Sequence, residues 1–191
     1  MNNSIISKLF VKNRIFIFLI ALTILAIGPV WAQKMSPPPS IKKFDWLIGQ
    51  WQFKDSSVDG SYSETGTRTC SYTLNDNYIV CNSHGTSGKG KVRDYLFYIN
   101  YNHMDNRFEM TAMFGDYSRK SLYIIETDES GYNLRLTHLA WTADGISPMN
   151  KATISYDGKH QYIWKIRTGD PDPQSGEIPV GYIDTVTRSS K

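Results

Sequence analysis

From Trp51 onward the chain alternates apolar and polar positions in short runs, and no apolar pattern of helical period extends beyond a turn or two. Such alternation is typical of strands that bury one face. The runs are rich in Tyr, Phe, Ile, Thr and Trp and are separated by turn residues. They predict an all-β chain of about ten strands, at 50–56, 63–74, 77–87, 91–102, 107–114, 118–127, 132–142, 149–156, 160–168 and 177–188.

Hairpin registers follow from the turns, because directly opposed residues lie on one face of a sheet. A two-residue turn at Asn75-Asp76 places Cys70 opposite Cys81. A four-residue loop at 103–106 pairs residues of the two flanking strands that are all apolar or aromatic. The pairs are Tyr101 with Phe108, Ile99 with Met110, Phe97 with Ala112, and Tyr95 with Phe114.

A third hairpin is predicted around Asp157-Gly158. A three-residue loop through Lys159 opposes Ile154 to Tyr162 and Ala152 to Trp164, with Gly158 supplying a positive φ. Consecutive hairpins with one apolar face form an antiparallel meander, and about ten strands favour its closure into a barrel without open edges.

The segment before the first strand predicts a short helix that closes one end of the barrel. Its apolar residues are Ile41, Phe44, Trp46 and Leu47, with Ser40 as the N-terminal cap. We expect Gly49 to adopt the left-handed conformation that ends the helix. Trp51 would then lie at the closed end.

This entrance, a short helix followed by Gly49-Gln50-Trp51 and a strand, resembles the start of lipocalins and related calycin barrels. That resemblance implies that Arg188, after the last strand, packs over Trp51 as a cation–π pair. More closely, the segments FDWLIGQW (44–51), YINYN (98–102) and RFE (107–109) are similar to a family of secreted lipocalin-like domains of unknown function. The likeness covers roughly residues 41–188 and supports the barrel rather than any particular activity.

Residues 1–32 have the pattern of a cleaved export signal: Lys8, Lys12 and Arg14, then an apolar run, then a small-residue cleavage site ending at Ala32. A retained membrane anchor is the alternative, but the uncharged run is shorter than a membrane span requires. A proline-rich leader at 33–40 would precede a single domain at 41–191.

The signal contains three basic residues and no acidic one, so its removal cancels the net charge of +3. A neutral chain has no electrostatic preference for nucleic acid or an anionic membrane.

Cys70 and Cys81 are the only cysteines in a chain predicted to be exported, which favours a disulfide between them over two free core thiols. We therefore expect a periplasmic or extracellular location.

Few patterns point to catalysis or to a cofactor. The four histidines have no zinc spacing, and no histidine follows His160 to serve as a haem ligand, so we predict neither a metal nor a cofactor. "GTSGKG" at 85–90 lacks the full phosphate-loop pattern and predicts a strand-to-strand loop.

His138 is placed among apolar neighbours and would act as a ligand contact, a base or a hydrogen-bonded interior residue. Four strand carboxylates are expected to be solvated: Asp94, Glu109, Glu126 and Asp184.

The inner face of the predicted barrel is rich in aromatic residues, and barrels of this width often hold a small ligand. We predict a pocket for a small, largely apolar molecule, lined by Tyr95, Phe97, Ile99, Phe108, Met110, Phe114, Leu134, Leu136, His138, Tyr162 and Trp164. The favoured function is non-catalytic binding. Two alternatives remain: a filled barrel acting as an envelope interaction or structural module, and a barrel isomerase, cyclase or hydrolase using His138 or an interior carboxylate.

Overall fold

The structure, a computed structural model, describes residues 39–115, 119–142 and 145–189. The predicted export signal and most of the leader lie outside these residues. A 3₁₀ helix at Ile41–Leu47 precedes ten strands: β1 Gly49–Ser57, β2 Ser63–Thr73, β3 Tyr78–Ser87, β4 Val92–Asn102, β5 Arg107–Phe114, β6 Arg119–Thr127, β7 Asn133–Thr142, β8 Gly145–Tyr156, β9 Gln161–Arg167 and β10 Val180–Arg188. The strands correspond to the ten predicted runs.

Every strand pairs antiparallel with its sequence neighbours, and β10 pairs with β1 to close the barrel. The predicted all-β meander barrel with a short N-terminal helix is therefore confirmed. Closure satisfies the backbone groups that an open sheet would leave at its edges. No helix among the described residues is long and apolar enough to cross a membrane.

Two of the three predicted hairpin registers are confirmed. Cys70 lies opposite Cys81, and the two sulfur atoms form a disulfide. Tyr95 lies opposite Phe114, and the remaining β4–β5 pairs follow as predicted.

The predicted register of the third hairpin is wrong by two residues. Ile154 pairs with Trp164 instead of Tyr162, and Tyr156 pairs with Tyr162. The cause is Asp157, whose carboxylate accepts the backbone N–H groups of three following residues, Lys159, His160 and Gln161, and so stabilises a longer loop. A shift of two keeps the same side chains inside the barrel.

The 3₁₀ helix closes one end of the barrel. Ser40 caps it by accepting the backbone N–H of Lys42, as predicted. Gly49, however, does not end it in the left-handed helical conformation: Ile48 is the extended C-cap, and Gly49 is the first residue of β1 with φ of 130°. Glycine is favoured there because other residues rarely adopt a φ of 130°, and a Cβ would also lie 2.8 Å from Nη1 of Arg188.

Candidate ligand-binding cavity

The barrel interior has an apolar half at the closed end. Phe44 and Trp46 of the helix are buried there, Phe44 edge-on to Phe108 and Trp46 stacked on Tyr156 at 4.7 Å between ring centroids. Trp46 also donates its indole N–H to the carbonyl of Gly131 in the β6–β7 loop. These contacts fill this half with side chains.

Arg188 joins the last strand to the helix at the closed end. Its guanidinium carbon lies 4.2 Å from the ring centre of Trp51, and its nitrogens donate to the carbonyls of Ile48 and Trp46 at 3.0 and 2.8 Å. Trp51 in turn donates to the carbonyl of Leu47. The arrangement fixes the helix across the barrel end.

The opposite half of the interior contains a cavity of about 430 Å³ that opens at the end away from the helix. Aromatic rings form much of its wall, with polar and charged side chains between them. The lining residues are Phe53, Asp55, Tyr62, Glu64, Arg68, Arg93, Tyr95, Phe97, Ala112, Phe114, Tyr123, Trp164, Ile166, Thr168, Tyr182 and Asp184.

The predicted pocket residues divide between these two halves. Four of them line the cavity: Tyr95, Phe97, Phe114 and Trp164. Six belong to the packed core instead: Ile99, Phe108, Met110, Leu134, Leu136 and Tyr162. His138 is buried directly opposite Tyr123, with 5.0 Å between their ring centroids, and is not among the residues that line the cavity.

Arg68 separates the apolar half from the cavity. The residue is 5% exposed, and its guanidinium donates to Ser83 Oγ at 2.8 Å, Tyr162 OH at 2.6 Å and Asp184 Oδ2 at 3.1 Å. Its guanidinium carbon also lies 5.2 Å from the ring centre of Phe97. Burial opposes its charge, but the interactions with Tyr162 and Asp184 outweigh burial, so the pKa of Arg68 is raised.

A row of directly opposed residues crosses four strands on the cavity wall: Glu64 on β2, Asp55 on β1, Asp184 on β10 and Trp164 on β9. We call these four residues the carboxylate row. Each has a buried polar atom without a hydrogen-bond partner among the described residues: Glu64 Oε1, Asp55 Oδ1, Asp184 Oδ1 and Trp164 Nε1. Buried polar atoms are usually paired, so this concentration in one row marks a site with unused bonding capacity.

Two carboxyl groups of the carboxylate row, those of Asp55 and Asp184, hold protons more tightly than free carboxyl groups do. Burial, followed by the charges of Asp184 and Glu64, raises the pKa of Asp55 from its ordinary 3.8 to about 7. Burial also raises the pKa of Asp184, although Arg68 opposes that change. Asp55 is therefore poised to gain or lose a proton near neutral pH.

Glu64 is held at the cavity mouth by its second oxygen. Oε2 accepts from the hydroxyls of Tyr62 and Tyr95, the latter at 2.8 Å, and from Nη1 of Arg93 at 3.3 Å. The carboxylate lies against Gly85, where a Cβ would be 2.0 Å from Oε1. Glycine at this position gives the buried carboxylate its space.

The expectation that the four strand carboxylates are solvated is wrong for Asp184, which is 4% exposed and inside the barrel. Its register opposite Asp55 and its pairing with Arg68 place it there. Glu109 faces outward as expected, but the expectation that it is solvated is also wrong, because it is 8% exposed and covered by Arg107 and Asn102. Asp94 is exposed and pairs with His84 at 2.6 Å.

Sequence reasoning missed Arg68, Asp55 and Glu64, although a signal for two of them was present. Once Cys70 faces inward, alternation along β2 places Arg68 and Glu64 on the same face. Among the described residues, no group of three or more His, Cys, Asp or Glu is arranged to hold a metal ion.

No protein-family model and no curated protein matches this chain. Solved structures do resemble it. A de novo designed fluorescence-activating β-barrel is 13% identical over 76% of this chain and 95% of its own, with a TM-score of 0.39. The redesigned barrel mFAP1, solved with DFHBI bound, is 16% identical over 77% and 99%, also with a TM-score of 0.39.

A natural protein, Rv2717c from M. tuberculosis, is 11% identical over 81% of this chain and 100% of its own, with a TM-score of 0.52. At this identity the likeness shows the barrel fold alone.

Proposed function

We propose that this chain is an exported, non-catalytic binding protein that holds a small, largely apolar molecule in the interior of a lipocalin-like barrel. The observation that carries the proposal is the open cavity of about 430 Å³ with aromatic walls. Small-molecule sites in proteins usually have volumes of about 300 to 1,000 Å³ and mostly apolar walls with a few polar groups. The cavity also weighs against a filled barrel that acts through its surface.

The lipocalin-like class is supported by the closed end of the barrel. The short helix, the Gly49-Gln50-Trp51 entrance and the contact of Arg188 with Trp51 correspond to the resemblance that the sequence carries. We propose the domain at 41–191, preceded by a cleaved signal at 1–32 and a leader at 33–40. The Cys70–Cys81 disulfide supports export, because such bonds persist in oxidising compartments.

Native mass spectrometry of the protein purified from its own host, followed by extraction and identification of bound molecules, tests the proposal. We expect a stoichiometric small molecule that is released on unfolding. Ala112→Phe, which adds a ring to the buried cavity wall, should reduce its occupancy at least tenfold. The matched control Thr111→Phe places the ring on the other face of β5 and should leave occupancy unchanged.

A protein that is consistently empty, and that gains no thermal stability from a panel of lipophilic compounds, would overturn this proposal. Equal occupancy in the two phenylalanine variants would place the ligand elsewhere on the barrel.

One observation favours a second candidate function, acid–base catalysis such as an isomerase or hydrolase reaction. Asp55, with a pKa raised to about 7 by burial and by its carboxylate neighbours, lies in the cavity opposite Asp184 and matches the requirement for a general base. His138 does not line the cavity. Incubating the extracted ligand with fresh protein separates the two functions: unchanged ligand indicates binding, and conversion that Asp55→Asn abolishes indicates catalysis.

A further inference from the structure

The carboxylate row places three acidic side chains on adjacent strands in directly opposed positions. Opposed residues on neighbouring strands have Cβ atoms about 4.5 to 5.5 Å apart, and like charges in such positions destabilise a sheet. Glu64 is 1% exposed and Asp184 is 4% exposed, so water does little to screen them. A cost of this kind in a cavity wall is expected at a functional site, where binding compensates it.

The cavity has unused acceptors, whereas its cationic donors are engaged. Arg68 donates to three partners, and Arg93 donates to Glu64 and Tyr62. The unpartnered oxygens of the row are acceptors, and the indole N–H of Trp164 is the one donor among the four atoms. A ligand that completes these bonds must therefore supply mainly hydrogen-bond donors.

The charge balance of the lining also favours a ligand that supplies hydrogen-bond donors. The lining contains three carboxylates and two guanidinium groups, an excess of one negative charge when all are ionised. Aromatic faces that line the cavity near the three carboxylates, such as those of Phe97 and Trp164, attract cations through their ring quadrupoles. Arg68 already uses this attraction, with its guanidinium carbon 5.7 Å from the Trp164 ring centre.

We propose that the molecule bound in the cavity carries a protonated amine or amidinium group that binds against the carboxylate row, with its apolar body against the aromatic wall. This inference rests on the proposed function and names the chemical class of its ligand. A cation beside Asp55 favours the ionised carboxylate, so binding releases the proton that Asp55 otherwise holds near neutral pH.

The test uses four aromatic probes of similar size: benzylamine and benzamidine as cations, benzyl alcohol as the neutral probe and benzoate as the anion. Binding is followed by NMR of the Trp indole N–H signals, among them that of Trp164, and by calorimetry in buffers of different ionisation enthalpy. We expect the two cations to bind at least tenfold more tightly than benzyl alcohol. Benzoate should bind more weakly than the other three probes. Cation affinity should rise about tenfold from pH 6 to pH 8, with proton release.

Asp55→Asn should remove both the pH dependence and most of the preference for cations while still binding benzyl alcohol. The matched control Asp170→Asn removes an exposed charge from the loop before β10 and should change neither. Melting curves of both variants establish that they are folded before binding is compared.

Two results would overturn the inference. If the neutral or anionic probe binds as tightly as the cations, the charge assignment is wrong, although the cavity still binds small molecules. If no probe binds and the molecule recovered from the host has no basic nitrogen, the charge assignment is again wrong while the proposed function stands. An empty protein from the host, by contrast, contradicts the proposed function itself.

Discussion

Arg68 and Asp184, 116 residues apart in sequence, form a buried ion pair with 3.1 Å between Nη2 and Oδ2. Both side chains are almost completely removed from solvent, so each charge depends on the other for compensation. The pair also lies at the boundary between the two halves of the barrel, because Arg68 donates to Tyr162 of the apolar core and lines the cavity. The stability of the fold and the shape of the cavity therefore share one interaction.

Replacing Arg68 with Met should destabilise the protein strongly. The change leaves Asp184 buried without its cation, and breaking a buried pair on one side costs about 3 to 5 kcal/mol. We expect such a loss in urea unfolding at pH 8 and a smaller one as the pH falls, because burial raises the pKa of Asp184 and protonation removes its unpaired charge. Arg135→Met is the control, since its contact with Glu126 is exposed and worth at most about 1 kcal/mol. Equal losses in the two variants would contradict the role assigned to Arg68.

Asp55 should make the protein less stable as the pH rises from about 4 to about 7. Its pKa of about 7 in the folded state exceeds the ordinary value of 3.8, so between these values the folded state holds a proton that the unfolded state has released. Asp55→Asn should remove this slope. At pH 8 its free energy of unfolding should exceed that of the wild type by about 1–2 kcal/mol, a figure reduced for screening by cavity solvent. Asp170→Asn should keep the wild-type slope. A parallel pair of curves for Asp55→Asn and wild type would refute the assignment.

Gly85→Ala should disturb the cavity mouth. The added methyl group would lie 2.0 Å from Oε1 of Glu64 and 2.8 Å from Cζ of Phe53, so both buried side chains must move. Overpacking of this kind costs about 1–3 kcal/mol. Gly115→Ala is a milder control, because its nearest neighbour, the carbonyl oxygen of Asp94, lies 3.3 Å away. Thermal unfolding compares the two; a harmless Gly85→Ala would show that Glu64 is less confined than the structure indicates.

The Cys70–Cys81 disulfide should contribute about 2–3 kcal/mol to the free energy of unfolding, as expected from the loop closed by a sequence separation of 11. The double variant Cys70→Ala/Cys81→Ala should lose this amount in chemical denaturation. Reduction of the wild type by dithiothreitol should lower its stability similarly and leave the double variant unchanged. Insensitivity of the wild type to full reduction would contradict this contribution.

The sequence by itself determined the strands, the two hairpins around Asn75 and 103–106, the disulfide and the short helix. These depend on alternation, turn residues and caps within a few positions of one another, which is information that neighbouring residues carry. At the hairpin around Asp157, the turn residues alone did not predict the register. There, one carboxylate accepts three backbone N–H groups, which lengthens the loop and shifts the register.

Only the tertiary structure decided where the cavity lies and what lines it. The carboxylate row exists because β10 pairs with β1, a contact between the last and first strands that no hairpin pattern encodes. That pairing brings Asp184 opposite Asp55 and within reach of Arg68. The division of the interior into a packed half and an open half follows from how far the helix residues and Arg68 extend, which depends on three-dimensional packing rather than on periodicity.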